Sequence, residues 1–230
     1  MSIRNKKVLG IIPARSGSKG LKNKNIKYAG GIPLIGWTIN AAKKSNYIDY
    51  IMTSTDSKKI AEISERYGSK APYLRPKYLA SDTANSIDVV LDVLKKIQGY
   101  DYFILLQPTS PLRTNFDIDA ALELFDKSSA KTCVSVSKTL ARPEWMYSLD
   151  SVNRIRPVIK KKKKVTRRQD LQDYFQVNGA IYIASVKWFK TNKTFYCSNT
   201  IAYVMPDSRS VDIDNNDDFS KFKKLAIKIK

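Results

Sequence analysis

The chain has 230 residues, 43% of them hydrophobic and 27% charged, which is enough apolar content for one fair-sized globular domain and too much for intrinsic disorder. Histidine is absent, which excludes imidazole-based triads, histidine general bases and histidine metal ligands, so any acid-base or metal chemistry rests on Asp, Glu, Lys, Tyr or water. A formal net charge of +20 invites nucleic-acid binding, but 30 of the 41 basic residues are lysine, scattered outside Lys160–Lys164, Arg167 and Arg168, with no helix-turn-helix, zinc-finger or aromatic RNP pattern beside them.

Val8 to Pro13 is a short apolar run that reads as a first buried strand, too short for a secretory leader. Leu34 to Lys44 predicts a helix with Leu34, Ile35, Ile39 and Ala42 on one face. Tyr50 to Ser54 is a second strand, and Asp56 or Ser57 is placed to cap a helix over Lys58 to Tyr67 that Gly68 stops. Ala71 to Leu74 is expected to be a short strand leading into a loop from Arg75 to Asn85. Ser86 then opens a helix carrying Ile87, Val90, Leu91, Leu94 and Ile97.

Tyr102 to Leu106 is an apolar strand entering Gln107-Pro108-Thr109-Ser110-Pro111-Leu112-Arg113, where two prolines hold a rigid loop. Ile118, Ala121, Leu122 and Phe125 pattern another helix, and Thr132 to Val136 another strand. From Ala141 to Phe175 the alternation weakens, which reads as an inserted hairpin-like subdomain. Gln176 to Ser185 and Thr200 to Met205 are further strands, and Phe219, Phe222, Leu225 and Ala226 mark a closing helix. Strands alternating with helical periods are the pattern of a parallel sheet covered by helices. No window reaches the roughly 18 apolar residues of a membrane span. Cys133 and Cys197 show neither metal-ligand nor disulfide-framework spacing, so the expected compartment is the cytoplasm.

Two constellations carry chemistry. The loop Arg15-Ser16-Gly17-Ser18-Lys19-Gly20-Leu21-Lys22-Asn23-Lys24-Asn25 follows the first strand and gathers cations and free N–H groups that suit an anion, without matching a Walker A or a dinucleotide fingerprint. Asp212-Ile213-Asp214 follows a late strand; on an extended backbone its two carboxylates face the same way and suit one Mg²⁺. Asp-x-Asp alone is commonly an ordinary surface turn, and the basic loop alone can be a flexible turn. Together they describe a nucleotide site at the carboxyl edge of the sheet, for nucleotidyl or phosphoryl transfer.

From end to end the chain resembles the acylneuraminate cytidylyltransferases, or CMP-sialic acid synthetases. The matching segments, in family order, are Ile12-Pro13-Ala14-Arg15 with Ser18-Lys19-Gly20 and Lys24-Asn25; Ser54-Thr55-Asp56; Leu74-Arg75-Pro76 with Leu79-Ala80-Ser81-Asp82-Thr83; Leu105 to Arg113; Arg168-Gln169; Asn178-Gly179-Ala180-Ile181-Tyr182; and Asp212-Ile213-Asp214. The resemblance implies a three-layer, Rossmann-like α/β nucleotidyltransferase fold with a mostly parallel sheet, a single domain over residues 1–230 with a dimerisation arm inserted at about 141–175, and a homodimer. It implies that CTP and a nine-carbon 2-keto sugar acid become a CMP-sugar and pyrophosphate, with no nucleic-acid or membrane partner.

By position, Arg15, Ser18, Lys19, Lys24, Asn25, Arg75 and Ser86 resemble the nucleotide contacts, and Gln107, Arg168, Asn178 and Tyr182 the sugar contacts. Asp212 and Asp214 resemble the Mg²⁺ ligands. Asp212, with Arg15 and Lys24, is the expected catalytic group, accepting the hydroxyl proton directly or through metal-bound water. The chain departs from some sialic acid enzymes at Gln176-Val177, where they carry an arginine, and among Arg142 to Tyr147, where they carry a lysine. The acceptor therefore stays open between N-acetylneuraminic, legionaminic and pseudaminic acid and the eight-carbon 3-deoxy-manno-octulosonic acid. A basic nucleic-acid-binding protein with inactive loops is the rival from another class.

Overall fold

The structure, a computed structural model, describes residues 3, 5–18, 20–159 and 172–228. Its strands are β1 (Val8–Pro13), β2 (Tyr28–Ala29), β3 (Ile32–Pro33), β4 (Tyr50–Ser54), β5 (Tyr102–Leu105), β6 (Thr132–Thr139), β7 (Tyr147–Leu149), β8 (Ile155–Pro157), β9 (Tyr174–Ser185) and β10 (Thr200–Val204). The helices are α1 (Leu34–Lys43), α2 (Lys58–Tyr67), α3 (Ser86–Lys96), α4 (Asn115–Lys127), α5 (Val186–Asn192) and α6 (Asn216–Lys228).

Six strands form the central sheet in the order β10-β6-β9-β5-β1-β4. β9 runs antiparallel to both β5 and β6, and the other pairings are parallel. Alternation along the strands makes two cores. Val8, Ile12, Ile104, Ile181 and Ile183 face Ile35 and Ile39 of α1, Ile60 and Ile63 of α2, and Ile118, Leu122 and Phe125 of α4. Leu9, Ile11, Phe103, Leu105 and Ala184 face Val90, Val93 and Leu94 of α3 and Phe189 of α5. The result is three layers, α/β/α, with each fully buried Leu, Ile or Phe worth about 1.5–3 kcal/mol.

A third, smaller core gathers Leu21, Leu34, Leu112, Ile213, Phe219 and Phe222. It joins the loop after β1, the loop after β5, the acidic segment and α6 at one end of the sheet.

Local chemistry explains the boundaries. Ser57, not Asp56, caps α2 by accepting from the Ile60 N–H, and Gly68 ends that helix at φ 100°. Asn85 rather than Ser86 caps α3, through the Asp88 N–H. The expected strand over Ala71–Leu74 does not form: this stretch meets β4 and its extension through isolated bridges at Met52–Lys70 and Thr55–Leu74. Its chain is spent on reaching across to place Arg75. The β2–β3 hairpin and α5 are additions that short, irregular sequence patterns do not announce.

The inserted segment holds the β7–β8 hairpin, whose strands are exposed throughout. β6 extends to Thr139 and β9 begins at Tyr174, so part of the expected arm is a continuation of the sheet. Arg142 donates to the Gln172 carbonyl at 2.8 Å and Tyr174 to Glu144, which close the base of the arm.

Candidate active site

β1, β4 and β5 all end on the same edge of the sheet, where the loops after β1 and β5, residues 75–89 and the Asp212–Asp214 segment frame a cleft of about 420 Å³. Arg15, Ser18, Lys24, Asn25, Arg75, Ser86, Gln107, Asp212 and Asp214 line it, bringing together nucleotide, sugar and metal positions from separate parts of the sequence. Lys19, Arg168 and the Lys160–Lys164 run lie outside the described residues.

The first loop is tied down at each turn. Ala14 N–H donates to the Ser54 carbonyl at 2.9 Å, and Ser16 gives both its N–H and its hydroxyl to Asp56. Asn25, almost buried, donates through Nδ2 to the Arg15 carbonyl at 3.0 Å, closing the loop on itself. Asn23 takes the left-handed conformation, φ 56°, that starts the turn presenting Lys24. Asp56 thus acts as a loop brace; burial, the largest single influence, raises its pKa, and the Ser16 bonds with the nearby Arg75 charge outweigh it, leaving the carboxyl below its ordinary range.

Arg15 and Arg75 differ in setting. Arg15 reaches the Ser81 carbonyl at 2.8 Å and Asp82 at 2.9 Å, half in water. Arg75 is 5% exposed, held by its N–H to the Thr55 carbonyl at 2.8 Å, with Nε lacking a partner. Burial lowers its pKa, with Asp56 opposing. A buried guanidinium with a spare donor beside a cleft suits a planar polar ligand.

Across the cleft, Ile213 is fully buried in the third core and its N–H donates to the Thr109 carbonyl at 2.9 Å. That anchor leaves the flanking carboxylates of Asp212 and Asp214 on the cleft wall, the alternation of extended backbone without strand pairing. The segment follows a 3₁₀ turn at Asp207–Arg209 rather than a strand end. Lys24 Nζ donates to the Ile213 carbonyl at 2.7 Å and lies 3.3 Å from Asp214 Oδ1, bridging the two loops. Burial, reinforced by the Asp214 charge, raises the Asp212 pKa, with a Thr109 hydrogen bond and Lys24 opposing.

Asn178 and Tyr182 do not line this cleft. Asn178 is buried, accepting from Ser135 at 2.6 Å and from the Ala180 N–H at 3.2 Å and donating to Ser210 at 3.0 Å, so its amide is spent inside the protein. Tyr182 sits in β9 against Phe195, ring centroids 5.0 Å apart, its pKa pushed up to about 12 by burial and by Tyr196. Thr109 and Asp56 lie inside the matched segments Leu105–Arg113 and Ser54-Thr55-Asp56, but position alone gives neither a role at the site. Thr109 sits in the double-proline loop, where only Gln107 has a contact assigned by position.

A family model described as cytidylyltransferase matches residues 9–226. The chain belongs to the cytidylyltransferase family. It is 40% identical, over 95% of its own length and 96% of the relative's, to a Legionella pneumophila protein named CMP-N,N'-diacetyllegionaminic acid synthase. It is 38% identical over 93% of its length to a Streptococcus agalactiae N-acylneuraminate cytidylyltransferase, of which it spans about half, 52%. Among solved structures it is similar to a CMP:2-keto-3-deoxy-manno-octonic acid synthetase complexed with CTP, at a TM-score of 0.75 and 17% identity over 97% of this chain and 100% of that one. That likeness bears out the three-layer α/β architecture of this cytidylyltransferase.

Proposed function

We propose that this cytidylyltransferase transfers CMP from CTP to the anomeric hydroxyl of a nonulosonic acid, a nine-carbon 2-keto sugar acid, and releases pyrophosphate. The observation that carries this reading is that the loop carrying Arg15, Ser18, Lys24 and Asn25 and the Asp212/Asp214 pair converge on one cleft. In-line attack on the α-phosphorus needs an anion cradle, a positioned hydroxyl and a proton acceptor. Arg15, Ser18 and Lys24 supply the cradle, while Arg75, Asn25 and Ser86 hold the nucleotide side. Gln107 and Arg168 orient the sugar, and Asp212 accepts the hydroxyl proton.

The acidic pair fits Mg²⁺. Its donors are two carboxylates on one cleft wall, the hard oxygen ligands that Mg²⁺ takes while keeping several waters. Asp212 and Asp214 would hold the ion, which when bound neutralises phosphate charge and favours the ionised nucleophile.

For the acceptor, the matches to a protein named for legionaminic acid and to one named for N-acylneuraminate support a sialic-type acid, with both sugars in the test. We further propose a homodimer through the arm, because Leu149 and Ile155 are 65% and 64% exposed on a hairpin too small to stand alone. Among the described residues no helix is long and apolar enough to cross a membrane, and CTP-dependent chemistry with two free thiols fits the cytoplasm.

The test is pyrophosphate release from CTP and Mg²⁺ with legionaminic, N-acetylneuraminic, pseudaminic and 3-deoxy-manno-octulosonic acids, each alone. Turnover with a nine-carbon acid is expected. Turnover with the eight-carbon acid alone, or salt-sensitive RNA binding without a CTP-dependent thermal shift, overturns the reading.

A further inference from the structure

The acidic pair hangs on a segment, residues 205–215, that contains no strand and only one 3₁₀ turn before α6 begins at Asn216. Something outside the segment must place it. Asp117, fully buried in the first turn of α4, accepts from five donors. Its Oδ1 takes Arg209 Nη2 at 2.7 Å and the Tyr203 hydroxyl at 3.1 Å. Its Oδ2 takes Arg209 Nε at 2.9 Å, the Thr114 N–H at 2.9 Å and the Thr114 hydroxyl at 2.7 Å.

Arg209 lies three residues before Asp212, and Thr114 directly follows the Gln107–Arg113 loop. Arg113, 2% exposed, donates from Nη1 to the Ala180 carbonyl at 2.8 Å and to the Gln107 carbonyl at 3.3 Å, while its Nε and Nη2 lack partners. Asp117 is the acidic group whose charge offsets it. The two loops that Asp117 holds meet again at the far side, where Thr109 receives the Ile213 N–H.

We infer that Asp117, held between Thr114 and the Arg209 fork, is a positioning group that sets the register between the loop carrying Gln107 and Thr109 and the segment carrying Asp212 and Asp214. A helix cap alone does not account for it, since the Thr114–Asp117 capping box is complete without an arginine from 92 residues away. A guanidinium fork on a buried carboxylate also costs more to desolvate than apolar side chains of the same size, so stability alone does not account for the Asp117–Arg209 pair. A bidentate fork fixes direction as well as distance, which an acid that must meet a hydroxyl requires.

The inference rests on the cleft being the reaction site, and the experiment separates the two. Arg209 is 36% exposed, so Arg209→Gln leaves a foldable chain even if Asp117→Asn does not. Amide hydrogen exchange is measured for wild type and Arg209→Gln, alongside steady-state kinetics. Exchange is expected to speed at least tenfold in both 107–114 and 206–215 while β1 and β5 keep their protection. kcat is expected to fall at least tenfold with KM for CTP within twofold, and Arg209→Lys, a point charge, to restore only part of it. Unchanged exchange at 107–114, or wild-type kcat in folded Arg209→Gln, overturns the inference. If wild type turns over none of the sugars, the proposed reaction fails and the exchange result still decides the positioning role.

Discussion

Gly20 packs against the backbone carbonyl of Asp214 so closely that a Cβ at residue 20 would overlap that oxygen. The loop after β1 and the acidic segment therefore touch through bare backbone, as well as through the Lys24 bridge. Gly20→Ala must push one loop off the other, at an overpacking cost of about 1–3 kcal/mol. The expected result is at least a tenfold loss in kcat/KM for CTP with a modest drop in Tm. Wild-type kinetics in a pyrophosphate-release assay would show the contact to be dispensable.

Asp214→Asn removes half of the carboxylate pair at a side chain that is 76% exposed, so the fold should persist. The Mg²⁺ concentration for half-maximal rate is expected to rise about tenfold or more, with the far-UV circular dichroism spectrum unchanged. Wild-type rates at limiting Mg²⁺ would remove Asp214 from the metal site.

Asn178→Ala separates a sugar contact from an internal brace. With Ser135, Ser210 and the Ala180 N–H each losing one hydrogen bond, a stability loss of about 1–3 kcal/mol is expected, and any change in KM should fall on CTP and sugar alike. A selective rise in the sugar KM at unchanged Tm would return Asn178 to the substrate.

Burial pushes the Asp117 carboxyl upward, but the Arg209 fork and the Thr114 donors outweigh it, so its pKa in the folded chain lies below the ordinary value; Tyr203 and Arg113 complete its surroundings. A depressed carboxyl contributes stability that is fully present above the unfolded value, about 3.9, and is lost as pH falls through the folded one. Tm measured from pH 7 down to pH 3 should therefore show Asp117→Asn well below wild type at neutral pH, with the gap narrowing only below about pH 4. A constant gap over that range would contradict the linkage.

Leu149→Asp with Ile155→Asp places two charges on the exposed hairpin. Sedimentation equilibrium is expected to show a dimer for wild type and a monomer for the double variant. Dimers in both would place the interface elsewhere.

The elements most legible in the sequence are those with strong periodicity and clear stops. β1, β4 and α2 fall on the residues their patterns predict, because short continuous apolar runs and a Ser57–Gly68 pair of caps act locally. Ala71–Leu74 misleads because four residues with some apolar content fit a strand equally well whether or not a neighbour offers a ladder, and here only isolated bridges form. The cleft is legible where a motif runs straight into it, as with Arg15, Lys24 and Asp212. Asn178 shows the limit: spacing identifies an amide near the site, but which way it points depends on Ser135 and Ser210, 43 residues before it and 32 after. Asp117 and its arginines were hidden for the same reason, since a helix-capping aspartate looks alike whether or not a distant loop comes to meet it.

The small core beneath the acidic pair separates the fate of the site from that of the sheet. Ile213 is buried with Leu21, Phe219 and Phe222, apart from the two large clusters on the faces of the sheet. Apolar contacts weaken on cooling and in dilute urea, and a small cooperative unit opens at a lower free energy than the whole molecule. Chilling or mild denaturant should accordingly release α6 and the two carboxylates together while the six strands stay paired, so that activity is lost reversibly before the protein unfolds.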